Sequence, residues 1–189
     1  MDAFLTSTFL VALAEIGDKT QLLSFVLAAR LRKPLPIIAG ILVATLANHL
    51  LAGTVGIWIA GLIPPGALPW VTGLIFIGFG LWALHPDSLD DDPKIHRAGV
   101  FVTATIAFFL AEMGDKTQLA TMALAARFDA LAAVVTGTTL GMMLANIPAV
   151  LVGEALARKL PMKAIRITAA VVFIITGAVT IFGAPDIAR

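Results

Sequence analysis

Apolar residues run along this chain in six long blocks separated by short polar or proline-rich stretches. The blocks extend from Ala3 to Ala29, Leu35 to Ile63, Leu68 to Leu84, Ala98 to Ala126, Ala130 to Leu156 and Ala164 to Phe182. At about 1.5 Å per residue, such lengths predict helices that cross a hydrocarbon layer roughly 30 Å thick. Arg32-Lys33-Pro34, Pro64-Pro65-Gly66 and the segment from Pro86 to Pro93 punctuate the first half. Proline has no amide proton and collides with the preceding turn, so each of these stretches ends a helix. Backbone facing lipid must satisfy its own hydrogen bonds, which leaves helices as the economical spanning element.

The pattern is written twice. Ala14-Glu-Ile-Gly-Asp-Lys-Thr-Gln-Leu, running on to Leu27-Ala-Ala-Arg30, returns as Ala111-Glu-Met-Gly-Asp-Lys-Thr-Gln-Leu and Leu124-Ala-Ala-Arg127, with twelve of seventeen positions identical. The same offset of ninety-seven places Gly40 on Gly137, Phe76 on Phe173 and Gly80 on Gly177. Asn48 matches Asn146 if the later copy carries a one-residue insertion. A unit of three spans is odd, so the second copy enters the membrane upside down relative to the first. The expected fold is an all-α polytopic membrane protein: six transmembrane helices as two inverted three-helix repeats. Residues 1–85 form the first, 98–189 the second, and 86–97 an acidic cytoplasmic connector.

Composition agrees with this pattern. Hydrophobic residues make up 59% of the chain and its mean hydropathy is +0.98, well beyond what a soluble domain of this length requires. A net charge of +1 says nothing about nucleic acid, and no nucleic-acid partner is expected. Without cysteine there is neither a disulfide nor a thiolate metal site, so a bound metal is held by oxygen or histidine. No basic region precedes Phe4 and the first apolar run contains the motif, which suggests a retained span and not a cleaved signal. Arg30, Arg32, Lys33, Lys94, Arg97, Arg158, Lys159, Lys163 and Arg166 fall on one side of the predicted membrane, and only Arg127 and Arg189 on the other. That bias puts the first group in the cytoplasm and both termini outside.

The charges inside the apolar blocks carry the chemistry. Glu15, Asp18 and Gln21 share one helix face, and Glu112, Asp115 and Gln118 repeat the stripe. Six intramembrane charges, with Lys19 and Lys116 included, cost on the order of 15 kcal/mol on insertion scales, which pairing, water or an ion must offset. Intrahelical pairs Glu15–Lys19 and Glu112–Lys116 are one way to do so, but they leave Asp18 and Asp115 unmatched. The lysines either act as counter-ions of an empty site or snorkel to the interface. Two stripes facing each other bring four carboxylates together, a ligand set for a hard or borderline divalent ion such as Ca²⁺, Mn²⁺ or Mg²⁺. Carboxylates also bind protons, which is the simplest chemistry for cation/proton antiport. Gly17 and Gly114 either unwind the helix locally or let helices pack closely. Asn48 and Asn146 can ligate, or bond a neighbouring carboxylate. His49 suits proton handling or an interhelical hydrogen bond. Met113, Met122, Met142 and Met143 are expected as packing filler. Gly53, Gly56, Gly137 and Gly141 are expected at close helix contacts, and Trp58, Trp70 and Trp82 as interfacial anchors.

Glu15-Ile-Gly-Asp-Lys-Thr20 and Glu112-Met-Gly-Asp-Lys-Thr117 resemble the duplicated E-x-G-D-[KR]-[ST] signature of the Gdt / transmembrane-protein-165 family of cation exchangers, and the likeness spans essentially the whole chain. The resemblance implies an exporter of Mn²⁺, with Ca²⁺ in some relatives, driven by proton exchange. It also implies Glu15, Asp18, Glu112 and Asp115 as cation-binding carboxylates, with Thr20, Gln21, Thr117 and Gln118 supporting them. The compact length resembles prokaryotic members, hence a plasma-membrane location. No cofactor is expected; the metal is substrate, and the partners are the cation, protons and the bilayer.

Three other readings compete with an alternating-access exporter. A divalent-cation channel would follow the metal gradient alone. An intramembrane acid protease would use paired aspartates to activate water, but such enzymes show Gly-x-Gly-Asp where this chain has Glu-x-Gly-Asp, so no enzyme is expected. A scaffold with structural ion pairs would tolerate neutralising Glu15 together with Lys19.

Overall fold

A computed structural model describes residues 1–85, 99–152 and 161–183. Among these the chain is helical throughout, with no strand. The helices are α1 (Asp2–Glu15), α2 (Lys19–Leu31), α3 (Pro34–Ala60), α4 (Leu68–Ala83), α5 (Val100–Glu112), α6 (Lys116–Phe128), α7 (Leu131–Val152) and α8 (Met162–Phe182). By length and composition α3, α7 and α8 can each cross a membrane, and α4 and α5 are shorter apolar helices. The connector 86–97 and the basic residues Lys94, Arg97, Arg158, Lys159 and Arg189 lie outside the described residues.

The first and fourth apolar blocks are not single helices. Each breaks at its motif, between α1 and α2 and between α5 and α6, and the two breaks have one backbone. Ile16 (φ −67°, ψ 110°) and Met113 (φ −67°, ψ 116°) leave the helix, and Asp18 (ψ 169°) and Asp115 (ψ 172°) restart it. Gly17 and Gly114 lie between them at φ 85° and 77°, where a side chain would be strained. Unwinding is therefore what these two glycines permit. The correspondence continues to the helix ends: Arg32 and Asp129 both adopt the left-handed conformation and cap on the carbonyls of Ala28 and Ala125.

Small residues decide which helices touch. Gly137 of α7 faces Phe4 and Ser7 of α1, and Gly141 faces Thr8, Val11 and Ala12, so α1 and α7 run in the same direction. Gly40 of α3 faces Phe101 and Ala104 of α5, and Asn48 further along reaches the Phe109 carbonyl, so α3 and α5 also run in parallel. Each motif helix thus packs on the third helix of the other half. Elsewhere Gly73 meets Gly177 and Gly80 meets Ala170, which sets α4 and α8 antiparallel, with Phe173 of α8 between Phe76 and Phe79 at ring distances of 6.3 and 4.2 Å.

The glycines expected at close contacts are found there. A Cβ on Gly56 would lie 2.3 Å from the Met122 carbonyl oxygen, backbone that cannot give way. Gly56→Ala is expected to push α3 off α6 and cost about 1–3 kcal/mol, read as a lowered thermal midpoint in detergent. An unchanged midpoint would mean that α6 is not held this close.

The three tryptophans are exposed, as anchors should be. Two expectations need correction. Met142 and Met143 are buried filler, but Met113 is 55% exposed and fills nothing. The one-residue insertion between Asn48 and Asn146 is not supported by burial. Ile37, Gly40, Ile41, Ala44, Thr45, Asn48 and His49 of α3 are buried, and so are Val134, Gly137, Thr138, Gly141, Met142, Ala145 and Asn146 of α7, at one unbroken offset. Asn146 therefore stands where His49 stands in the first half, and Ala145 where Asn48 does. Helical periodicity, which an insertion would shift by about 100°, decides the register.

Candidate cation site between the two broken helices

Breaking a helix at the same place in both halves exposes helix ends that α3 and α7 hold together in the interior. Glu15, Asp18, Glu112 and Asp115 are all buried. They form one cluster, because the ion pairs cross between the motifs: Lys19 Nζ lies 3.2 Å from Asp115 Oδ1, and Lys116 Nζ lies 2.6 Å from Asp18 Oδ1. Glu15 in turn lies within electrostatic reach of Glu112, Asp18 and Asp115. The two carboxylate stripes thus share one site. Lys19 does not pair within its own helix with Glu15; the break turns it towards the other motif.

Each glutamate is held by the threonine that follows the break. Thr20 Oγ1 donates to Glu15 Oε2 at 2.5 Å, and Thr117 Oγ1 donates to Glu112 Oε2 at 2.9 Å. The glutamines close the break itself: Gln21 Oε1 accepts from the Gly17 N–H at 2.9 Å, and Gln118 Oε1 accepts from the Gly114 N–H at 2.7 Å. Gln21 also donates to the Ala145 carbonyl at 3.2 Å. The supporting polar residues therefore satisfy what the break frees, and orient the carboxylates.

Unspent acceptors remain. Among the described residues, Glu15 Oε1, Glu112 Oε1, Asp115 Oδ2 and Asn48 Oδ1 are buried without a hydrogen-bond partner. Buried oxygens cost free energy unless something binds them, and the three carboxylate oxygens belong to the same cluster. Still, no three acidic or histidine side chains among the described residues converge closely enough to enclose a metal ion in this conformation. The lysine ammonium groups neutralise the aspartates instead. Lys116, only 7% exposed, cannot be snorkelling.

Other expected site residues behave less uniformly. Asn48 Nδ2 donates to the Phe109 carbonyl at 3.0 Å, tying α3 to α5. Asn146 Nδ2 donates to the Met142 carbonyl at 3.0 Å, while its Oδ1 accepts from Ser24 Oγ at 2.7 Å. His49 is fully buried, and neither ring nitrogen has a hydrogen-bond partner among the described residues, so the expected interhelical bond is not made. Ser24 was missed in the sequence. It lies three residues after Gln21, on the same helix face, and that spacing was the available signal. Met162 and Arg166, which approach the first break from α8, leave no trace in the sequence pattern.

Comparison with known proteins covers both halves of the chain. The family model described as "Divalent cation/proton antiporter GDT1" matches residues 3–91 and 100–187, one stretch for each motif. A Vibrio cholerae protein named "Putative manganese exporter" is 51% identical over 183 residues, covering 96% of this chain and 92% of its own. "GDT1-like protein 5" of Arabidopsis thaliana is 28% identical over 216 residues, covering 94% of both, and its namesake in Oryza sativa subsp. japonica is 27% identical over 227 residues, covering 98% and 97%. No solved structure matches the chain significantly. With a family match across both halves and a relative of this identity over nearly its whole length, the chain belongs to the GDT1 family of divalent cation/proton antiporters.

Proposed function

We propose that this protein exports a divalent cation, Mn²⁺ before Ca²⁺, from the cytoplasm in exchange for protons, by alternating access around the two Glu-x-Gly-Asp-Lys-Thr motifs. The observation that carries the reading is the crossed pair of ion bridges, which makes one site out of two half-sites. In this reading the lysines hold the aspartates while the site is empty. An arriving cation displaces the ammonium groups and draws Glu15, Asp18, Glu112 and Asp115 inwards, with Asn48 as a further oxygen ligand and Asn146 steadying α2 through Ser24. On release, protons take the cation's place on the carboxylates, so the same oxygens serve both substrates.

The membrane arrangement is part of the proposal. Residues 1–85 and 98–189 form two repeats, inverted across the bilayer and joined by the cytoplasmic connector 86–97. In support, α1 runs parallel to α7 and α3 parallel to α5, the pairing that two inverted repeats give. The excess of basic residues on one side supports a reading with that side cytoplasmic and both termini outside, in a plasma membrane. Mn²⁺ is favoured by the name of the Vibrio cholerae relative, since oxygen ligands alone accept Ca²⁺ as well. His49 adds a buried nitrogen for proton handling beside α3's contribution to the site.

Flux in proteoliposomes tests the whole reading. With an imposed pH gradient, Mn²⁺ is expected to move against its own gradient while protons move the other way, and Ca²⁺ to compete more weakly. Movement that follows the metal gradient alone would make the protein a channel.

A further inference from the structure

The two motif breaks share one backbone but differ in what covers them. Met162, the first residue of α8, packs directly on Gly17: a Cβ there would lie 2.2 Å from the Met162 methyl carbon. Arg166, one turn later, lines a cavity with Gly17, Asp18, Phe79, Ala83 and Lys116. That cavity holds about 10 Å³, room for about one water. At Gly114 the same position has no atom of the described residues within 4 Å. Met113 beside it is 55% exposed, whereas its counterpart Ile16 is half-buried. Lys19, which reaches Asp115, is 27% exposed against 7% for Lys116.

The imbalance extends to whole helices. α8 packs on α1 and α4 packs on α6, but the reciprocal contacts of α4 with α5 and α8 with α2 are not made to a comparable extent. The antiparallel α4–α8 pair therefore leans to one side of an otherwise matched core. Lipid is a poor cover for the bare break on the other side. Non-helical backbone at membrane depth is tolerated only against protein or water, and Met113, Gly114 and the restart at Asp115 are such backbone.

We infer that the Met113–Asp115 break is the open port of the cation path in this conformation, and that Met162 and Arg166 form the closed gate at the opposite end. The inference rests on the antiport reading. The gate closes by two means: Met162 fills the notch above Gly17, and the Arg166 guanidinium sets a positive charge in the way of a cation. The α4–α8 pair is the moving element. Swung towards α2 and α5, it brings the Pro65–Pro69 end of α4, which matches Met162 and Arg166 at the repeat offset, over Gly114, and lifts Met162 off Gly17. With Arg166 on the cytoplasmic side, the open port faces outward.

The chain has no cysteine, so single cysteines report access without background. Met113→Cys and Ile16→Cys are compared in metal-free proteoliposomes of known orientation, using a charged, membrane-impermeant thiol reagent. Met113→Cys is expected to react from the outer face about tenfold or more faster than Ile16→Cys from either face, the ratio of a dominant state to a minor one. Met162→Gly in the Ile16→Cys background is expected to raise that slow rate by opening the gate. Equal rates, faster reaction at Ile16→Cys, or reaction of Met113→Cys only with a lipid-soluble reagent would overturn the port. Disulfide-linked pairs of Met113→Cys chains would overturn it too, because a second copy would then cover the break. Metal/proton exchange is measured in the same vesicles: a wrong labelling pattern with intact exchange sinks the gate alone, whereas absent exchange in the unmodified protein sinks the antiport reading.

Discussion

Transport by Asp18→Asn or Asp115→Asn is expected to fall about 100-fold or more, at least the loss that weaker, outer partners of a metal site produce. The amide keeps one oxygen but cannot neutralise a cation or carry a proton in exchange. Because each substitution also strips a lysine of its buried carboxylate partner, part of the loss in those variants is instability. Glu15→Gln and Glu112→Gln separate the two effects. The carboxamide oxygen can still accept from Thr20 or Thr117 at the geometry seen here, and the crossed ion pairs of the lysines run to the aspartates, not the glutamates. These variants are expected to stay folded, with an unshifted detergent unfolding midpoint, and to lose metal-dependent proton flux to the same degree. Full flux in both glutamine variants would remove the shared carboxylate site from the mechanism.

The second large effect concerns Lys116. Removing one partner of a buried ion pair leaves an uncompensated charge and costs about 3–5 kcal/mol. Lys116→Met leaves Asp18 in that position at 3% exposure. Lys19→Met is expected to cost distinctly less, because Lys19 is 27% exposed and water reaches its pair. Asp18→Asn combined with Lys116→Met is expected to recover most of the stability lost by Lys116→Met, since no buried charge is then unmatched, and to recover no transport. Unfolding midpoints for the three variants measure this directly. Equal costs for the two lysines would mean that the asymmetry in burial has no energetic weight, and recovered flux in the double variant would mean that Asp18 does not carry the cation.

The crossed pairing also bears on why the motif contains a lysine at all. Placed one residue after the aspartate, it begins α2 or α6 and can reach the other half across the interface. Each half therefore supplies the countercharge for the other's aspartate, while Glu15 and Glu112 are held by threonine hydroxyls. In the proposed cycle an arriving cation has to outcompete two ammonium groups at the aspartates.

How the chain divides its information can be traced residue by residue. The duplicated peptide, the six apolar blocks and the close-packing glycines Gly53, Gly56, Gly137 and Gly141 were legible because each is a local property: periodicity, length, or a side chain too small to separate two helices. The breaks at Gly17 and Gly114 were half legible. Glycine permits unwinding as readily as close packing, and only the restart at Asp18 and Asp115, with glutamine bonding back to the glycine amide, decides between them. Residue type alone matched Asn48 with Asn146; the burial period of α3 and α7 moved the match by one position to His49.

The sequence by itself determined a helical membrane chain, its internal duplication and the eight charged or polar side chains at the two motifs, since these follow from composition and spacing. Only the tertiary structure decided that Lys19 pairs with Asp115 and Lys116 with Asp18, and that α8 covers one break while the other stays open. Both depend on contacts between segments about a hundred residues apart, chosen by which small residues let helices approach, and no local pattern encodes which of two matched faces a neighbouring helix pair will lean against.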